Sequence, residues 1–250
     1  MKEQYFKEYS EKLGREMEYA LYGEKGKLLI AFPSQNGRFY DFANFKMTDV
    51  CAPWIDAGVI RLACPDGNDW ESWSAEDRDM HERLLSQERW FSYITDEFLP
   101  SVKAKCGEEA QGKAMTTGCS MGGVHAANFF FRRPDLFDTC ISLSGAYNAY
   151  MFFKNASDPL AYENSPATFL RNMPADHPYM DLYRQSNIIL CVGQGAWEDE
   201  LLASTREMDA VLKEKGIPAW VDYWGFDCDH DWPWWRKQLP YFLGHVLGNP

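Results

Sequence analysis

The chain is expected to fold as an α/β protein, with a mostly parallel central sheet and helices on both faces. Three observations carry this. Six short apolar runs alternate with helix-patterned stretches, most of the runs end in turn clusters, and nothing in the sequence marks a second domain. At 250 residues and 46% hydrophobic content, the chain can bury a substantial core as one unit. No internal repeat, low-complexity tract or Pro/Gly/Ser linker interrupts it, so residues 1–250 are taken as one domain.

"KLLIAFP" (27–33) is an apolar run that ends in the turn cluster "SQNG", and "VIRLACPDG" (59–67) ends in the same way. Between them "FYDFANFKMTDVCAPWIDAG" has helical spacing, with Gly58 as its stop signal. A longer helix is expected through "DRDMHERLLSQERWFSYITDEFLPSVKAKCG", where Leu84, Leu85, Trp90, Ile94, Phe98 and Leu99 recur at helical spacing and Pro100 kinks or ends it. The strand "KAMTTG", the helix "GVHAANFFFRR" and the strands "TCISLSG" and "NIILCVGQG" follow. "DELLASTREMDAVLKEKG" is an amphipathic helix closed by Gly216. "PAWVDYWGF" is the last strand and "WWRKQLPYFLGHVLG" a terminal helix. The aromatic, turn-rich segment 146–186 breaks the alternation and reads as a small cap insertion over the sheet's edge.

Composition removes several function classes. A formal net charge of −12 argues against nucleic acid and anionic membranes, which demand clustered Lys and Arg. The charged N-terminus lacks the apolar core of a secretory signal, and no apolar run reaches membrane-spanning length, so the expected location is cytoplasmic. Seven cysteines without a C-x-x-C pair fit reduced thiols better than a disulfide framework or a zinc site.

Ligands of parallel sheets sit at the carboxyl ends of the strands, which draws attention to "TTGCSMGGVH" (116–125). Gly118-Cys119-Ser120-Met121-Gly122 matches G-x-S-x-G, follows a strand end and opens a helix, as a nucleophile elbow requires. The residues two before and two after the serine approach each other in such a turn, which accounts for Gly118 and Gly122. Gly123 lets the new helix close on a neighbouring strand. The competing reading is a glycine-rich turn that binds an anion at the helix N-terminus.

A serine hydroxyl needs a base, and the elbow therefore calls for a histidine later in the chain. His81, His125 and His245 fall in expected helices and His177 in the cap. His230, in "GFDCDHDWPWW", alone falls in the loop after the last strand. A metal cluster of Asp227, Cys228, Asp229, His230 and Asp231 is disfavoured because successive side chains diverge. An acid that orients the imidazole belongs after "NIILCVGQG", where Glu198 and Asp199 stand. Asp is much the better helix N-cap, which leaves Glu198 as first choice and Asp199 as fallback. The oxyanion donors expected are the backbone N–H groups of Met121 and of Gln35 in the early loop "PSQNG". Trp73, beside Trp70 in the loop after an early strand, Trp197 and Trp232 are candidate substrate-stacking residues, against an alternative role in packing loops onto the core.

Taken together, "GCSMGG", "RRPDLFDTCISLSG", "GQGAWED" and "HDWPWWRKQLPYFL" resemble the Putative esterase family of α/β-hydrolases. That family includes esterase D-type S-formylglutathione hydrolases, feruloyl and acetylxylan esterases, and mycolyl transferases. The resemblance spans about residues 10–248 and implies the α/β-hydrolase fold, with "LGREMEYALYG" as an early strand. The chain departs from the family's usual pattern at the acid loop, where the position three after the glycine, usually Asp, is Glu198 counted from Gly195 and Ala196 counted from Gly193. It also departs at the early loop, where Pro33-Ser34 replaces His-Gly or Asp-Gly. The function expected is a serine carboxylic ester hydrolase that passes through an acyl-enzyme and acts on a small-molecule ester, with no metal or organic cofactor. An acyltransferase with the same residues and a non-catalytic binding protein on this fold are the alternatives, and a homo-oligomer is allowed.

Overall fold

The computed structural model describes residues 1–154 and 157–250. Eight strands form one sheet in the order β1-β2-β4-β3-β5-β6-β7-β8: β1 (Glu3–Ser10), β2 (Arg15–Tyr22), β3 (Lys27–Phe32), β4 (Ile60–Pro65), β5 (Ala114–Cys119), β6 (Phe137–Leu143), β7 (Asn187–Val192) and β8 (Trp220–Tyr223). β1 and β2 form an antiparallel hairpin and β2 runs antiparallel to β4; all the other pairs are parallel. The early strand implied by "LGREMEYALYG" is β2. The edge strand β1, which the charged N-terminus conceals, alternates exposed and half-buried positions as a one-sided edge strand does.

Ten helices accompany the sheet among the described residues. These are α1 (Asp41–Asn44), α2 (Met47–Asp56), α3 (Met80–Ser92), α4 (Leu99–Lys105), α5 (Met121–Arg132), α6 (Pro159–Glu163), α7 (Pro166–Asn172), α8 (Tyr179–Arg184), α9 (Asp199–Glu214) and α10 (Trp232–Leu247). Strand periodicity divides the core in two. Leu28, Ile30 and Phe32 of β3 face Trp90 of α3, Phe98 and α5, with α8 and α9 farther along the same layer. Leu29 and Ala31 face the opposite layer, built from Cys51, Trp54 and Ile55 of α2 and Trp235, Leu239 and Phe242 of α10. Helices on both faces are therefore a direct consequence of strands that are apolar on both sides.

Two expected helices are interrupted. The stretch between β3 and β4 breaks at Lys46, whose φ of +66° separates α1 from α2. The long helix before β5 passes through a six-residue π-helical turn, Tyr93–Phe98, into α4. Pro100 sits in the first turn of α4, and the π-helical turn before it absorbs the misfit of its missing N–H and its ring. Gly58 and Gly216 end their helices as expected. At each, a left-handed glycine N–H bonds back three residues and the next N–H bonds back five, which satisfies the terminal carbonyls.

The segment between β6 and β7 holds α6, α7 and α8, and residues 155 and 156 lie outside the described part. Asn164 ties this segment to the body. Its Nδ2 donates to Glu88 Oε1 (2.7 Å), and its Oδ1 accepts from Asn128 Nδ2 (2.7 Å) and from the Arg132 guanidinium (3.1 Å).

Candidate active site

From β3 the chain crosses to β4 on one side and then returns to place β5 on the other. The strand order thus reverses between β3 and β5, and a crevice opens outside their carboxyl ends. Ser120 stands there, between β5 and α5, with φ +58° and ψ −123°, a conformation that L-residues rarely adopt. A Cβ on Gly118 would lie 2.3 Å from the Gly122 carbonyl carbon. One on Gly122 would lie 2.4 Å from Phe32 O of β3, and one on Gly123 2.7 Å from Leu143 O of β6. Each glycine therefore removes a backbone collision, and together they let the turn and α5 close onto three strands.

His230 Nε2 lies 2.8 Å from Ser120 Oγ, and His230 Nδ1 lies 3.2 Å from Glu198 Oε2. The three residues come from the loops after β5, β7 and β8, separated by up to 110 positions in the chain. Glu198 is 1% exposed. Its second oxygen accepts a 2.6 Å hydrogen bond from Ser144 Oγ, which in turn accepts from Trp235 Nε1 at 3.1 Å. Trp235 also presents its face edge-on to the His230 ring. A buried carboxylate is thus held at both oxygens, which fixes its orientation. The loops that carry it and the histidine are zipped together: His230 N donates to Ala196 O, Gly195 N to Cys228 O, and Ala196 N to Asp229 Oδ1.

Asp199 does not do what the sequence assigned to it. Glu198 occupies the N-cap position without a side-chain capping bond, and Asp199 is the first residue of α9, with its side chain exposed. The carboxylate that meets His230 is Glu198. Ser144 and Trp235, which complete its surroundings, were not singled out in the sequence. The only signal for Ser144 was its place at a strand end, in "ISLSG".

Met121 opens α5, so its N–H has no intrahelical acceptor. Gln35, in the β3 loop, borders the same cleft as Ser120 and Met121, a depression of about 470 Å³ walled also by Met151, Phe152 and Trp197. Trp197 is 86% exposed at φ +66°. A second depression along α9 lies next to the first, with Met151 and Glu200 bordering both.

Trp73, a candidate stacking residue, is not available to a ligand, and Trp232 is engaged by its neighbours. Trp73 is 1% exposed, wedged between His125, Phe152 and Phe153, with its Nε1 donating to Gln87. Trp232 is half-buried, stacked on Phe45 at 4.1 Å and edge-on to Trp235, the residue that also contacts the His230 ring. For Trp73 a large ring gains more by burial against the core than by waiting for a ligand. Among the histidines, His81 pairs with Asp158 at the surface and His125 is buried against Asp69. Among the described residues no three His, Cys, Asp or Glu side chains group so as to hold a metal ion. No helix among them is long and apolar enough to cross a membrane.

A mostly parallel sheet with a strained serine at a strand-to-helix turn, beside the reversal of strand order, defines the α/β-hydrolase fold. The chain belongs to the Putative esterase family, whose model matches residues 10–246. A ferulic acid esterase structure, 18% identical, superposes with a TM-score of 0.72 over 98% of each chain. An S-formylglutathione hydrolase from Agrobacterium tumefaciens, 15% identical, gives 0.73 over 99% of this chain and 95% of its own. MPT51 of Mycobacterium tuberculosis, 16% identical, gives 0.68 over 100% and 99%. At these identities the likeness is one of fold. A comparison with curated protein sequences found no match.

Proposed function

We propose that the chain is a serine carboxylic ester hydrolase that works through an acyl-enzyme on Ser120. The observation that carries this is the unbroken contact chain Ser120–His230–Glu198, at 2.8 and 3.2 Å, beside the cleft. The Ser120 hydroxyl donates to His230 Nε2 and gives up its proton as Oγ bonds to the ester carbonyl carbon. Glu198 accepts from Nδ1–H, holds the ring in the tautomer with a free Nε2 and stabilises the imidazolium. The carbonyl oxygen becomes an oxyanion received by the backbone N–H groups of Met121 and Gln35. One such donor is worth about 3 kcal/mol of barrier. Collapse expels the alcohol, whose oxygen takes the proton from Nε2. Water then repeats the sequence on the acyl-enzyme, releasing the carboxylic acid and restoring Ser120.

The exposed ring of Trp197, with Met151 and Phe152, forms the surface that meets the substrate. The segment 146–186 serves as a cap on a single domain, a reading supported by the packing of α7 against α5 and α9 and by the Asn164 cluster. Fluorophosphonate labelling together with hydrolysis of activated esters tests the mechanism. Ser120→Ala is expected to lose labelling and about 10⁴-fold or more in turnover. A Ser120→Ala protein with full esterase activity would overturn the proposal.

A further inference from the structure

A carboxylate and an imidazole that take no part in the steps above lie buried directly behind the cleft. Asp69, in the loop after β4, is 1% exposed, and His125, on α5 five residues beyond Ser120, is 0% exposed. Asp69 Oδ1 is 2.9 Å from His125 Nε2. Asp69 Oδ2 accepts a 3.1 Å hydrogen bond from the backbone N–H of Asn36, the residue after Gln35. Asn36 is held at φ +56°, and Asn is one of the few residues that visit this region singly. The His125 ring is enclosed edge-on by Trp73 and Trp90, and its Nδ1 has no partner among the described residues.

A pair like this is expensive as packing. Burying a charged or strongly polar pair commonly costs more than the pair returns, and apolar side chains of similar volume serve a core as well or better. The unpaired Nδ1 adds to that cost. The pair does achieve one thing that an apolar replacement would lose. It connects α5, whose first residue is Met121, to the β3 loop, which carries Gln35. The two oxyanion donors therefore sit on elements joined through Asp69 and His125. Two lesser contacts act in the same sense: Gln35 Nε2 donates to Ser74 Oγ in the Asp69 loop, and Ser34 Oγ donates to Cys119 O at the elbow.

We infer that Asp69 and His125 are positioning residues that set the separation of the two oxyanion donors, with Asp69 holding the Asn36 amide and His125 holding Asp69. The inference rests on the reading of Ser120 as nucleophile, so Ser120→Ala is measured first. Wild type, Asp69→Ala, Asp69→Asn and His125→Gln are then compared on a matched pair of esters, one with a carbonyl oxygen and one with a thiocarbonyl sulfur, which uses oxyanion donors poorly. For Asp69→Ala, kcat on the oxygen ester falls roughly 10- to 100-fold, short of the 10²–10³ seen when a donor is deleted outright. KM stays within about twofold, and the sulfur ester loses less, so the oxygen-to-sulfur rate ratio shrinks. His125→Gln shifts the ratio in the same direction. Asp69→Asn, which keeps an acceptor for the Asn36 N–H, stays within about threefold of wild type.

If Ser120→Ala is inactive but Asp69→Ala keeps the wild-type rate ratio, or slows both esters equally, the positioning role is overturned and the nucleophile stands. If Ser120→Ala is active, the underlying mechanism fails instead. Hydrogen exchange on the wild type gives a reading that needs no variant. The Asn36 amide, on an exposed residue, exchanges more slowly than unbonded exposed amides if Asp69 holds it, and an unprotected Asn36 amide overturns the inference.

Discussion

Among the described residues, four of the five non-glycine residues with positive φ gather at the site: Asn36, Ser120, Ser144 and Trp197. Such conformations persist where the surroundings over-determine them, and each costs on the order of 1–3 kcal/mol. Ser144 uses its geometry to reach Glu198, so Ser144→Ala should lower kcat by about tenfold, the loss of a hydrogen bond to a charged group. Asp199→Asn, at an exposed carboxylate with no contact to His230, should stay within about twofold of wild type. Steady-state kinetics on one activated ester checks both. Trp197 is both strained and exposed, with no burial within the chain to offset either. Trp197→Gly should therefore raise KM severalfold while increasing stability by about 1 kcal/mol, as glycine accepts the left-handed backbone freely. A urea unfolding curve alongside the kinetics measures the two effects, and a destabilised variant would contradict the strain argument.

At the scale of elements, the elbow is where local sequence and fold agree most closely. Gly118→Ala would place a Cβ 2.3 Å from the backbone of Gly122, where no rotamer change can relieve the collision. The variant should lose on the order of 3 kcal/mol or more of stability and nearly all activity, read from its denaturation midpoint. The helix before β5 shows the opposite situation. Its apolar spacing predicted one continuous element with a break at Pro100, yet the irregularity falls one turn earlier, in Tyr93–Phe98. Proline removes its own N–H and crowds the carbonyl four residues before it, so the consequence lies upstream of the residue that causes it. Helix α5 is buried from Met121 to Phe131, so the polar positions within it, His125 and Asn128, are enclosed along with its phenylalanines.

Over the whole molecule, six of the seven cysteines are buried and Cys106 is half-buried. Burial pushes the Cys119 thiol, next to Ser120 in sequence, well above its ordinary range. The thiolate is the reactive form, so a raised value means negligible reactivity at neutral pH. Iodoacetamide at pH 7 should leave esterase activity intact and modify Cys106 at most, as mass spectrometry would show. Inactivation that tracks Cys119 modification would count against Ser120. The strand order has a comparable global effect, since the reversal between β3 and β5 is what brings the Gln35 loop and the Ser120 turn to one crevice.

The sequence by itself determined the α/β alternation, the family and the strand-to-helix turn at Ser120, because each depends on short-range chemistry: strand-length apolar runs, caps, and glycines within two or three residues of Ser120. It also brought His230 forward, as the histidine in the loop after the last strand. Only the tertiary structure decided which carboxylate meets that histidine, and it did so for a reason unrelated to capping preference. Glu198 points inward because Ser144, 54 positions away, donates to its second oxygen and is itself fixed by Trp235, while Asp199 stays exposed at the start of α9, on the border of the cleft. The same holds for the tryptophans. A ring's type and neighbours in sequence do not say whether it will meet solvent. Trp73 is enclosed by His125, Gln87 and the Phe152-Phe153 pair, from three separate segments, and Trp197 stands exposed beside the cleft. The brace of Asp69 and His125 was invisible in the sequence for the same physical reason, since a hydrogen bond across 56 residues leaves no local pattern.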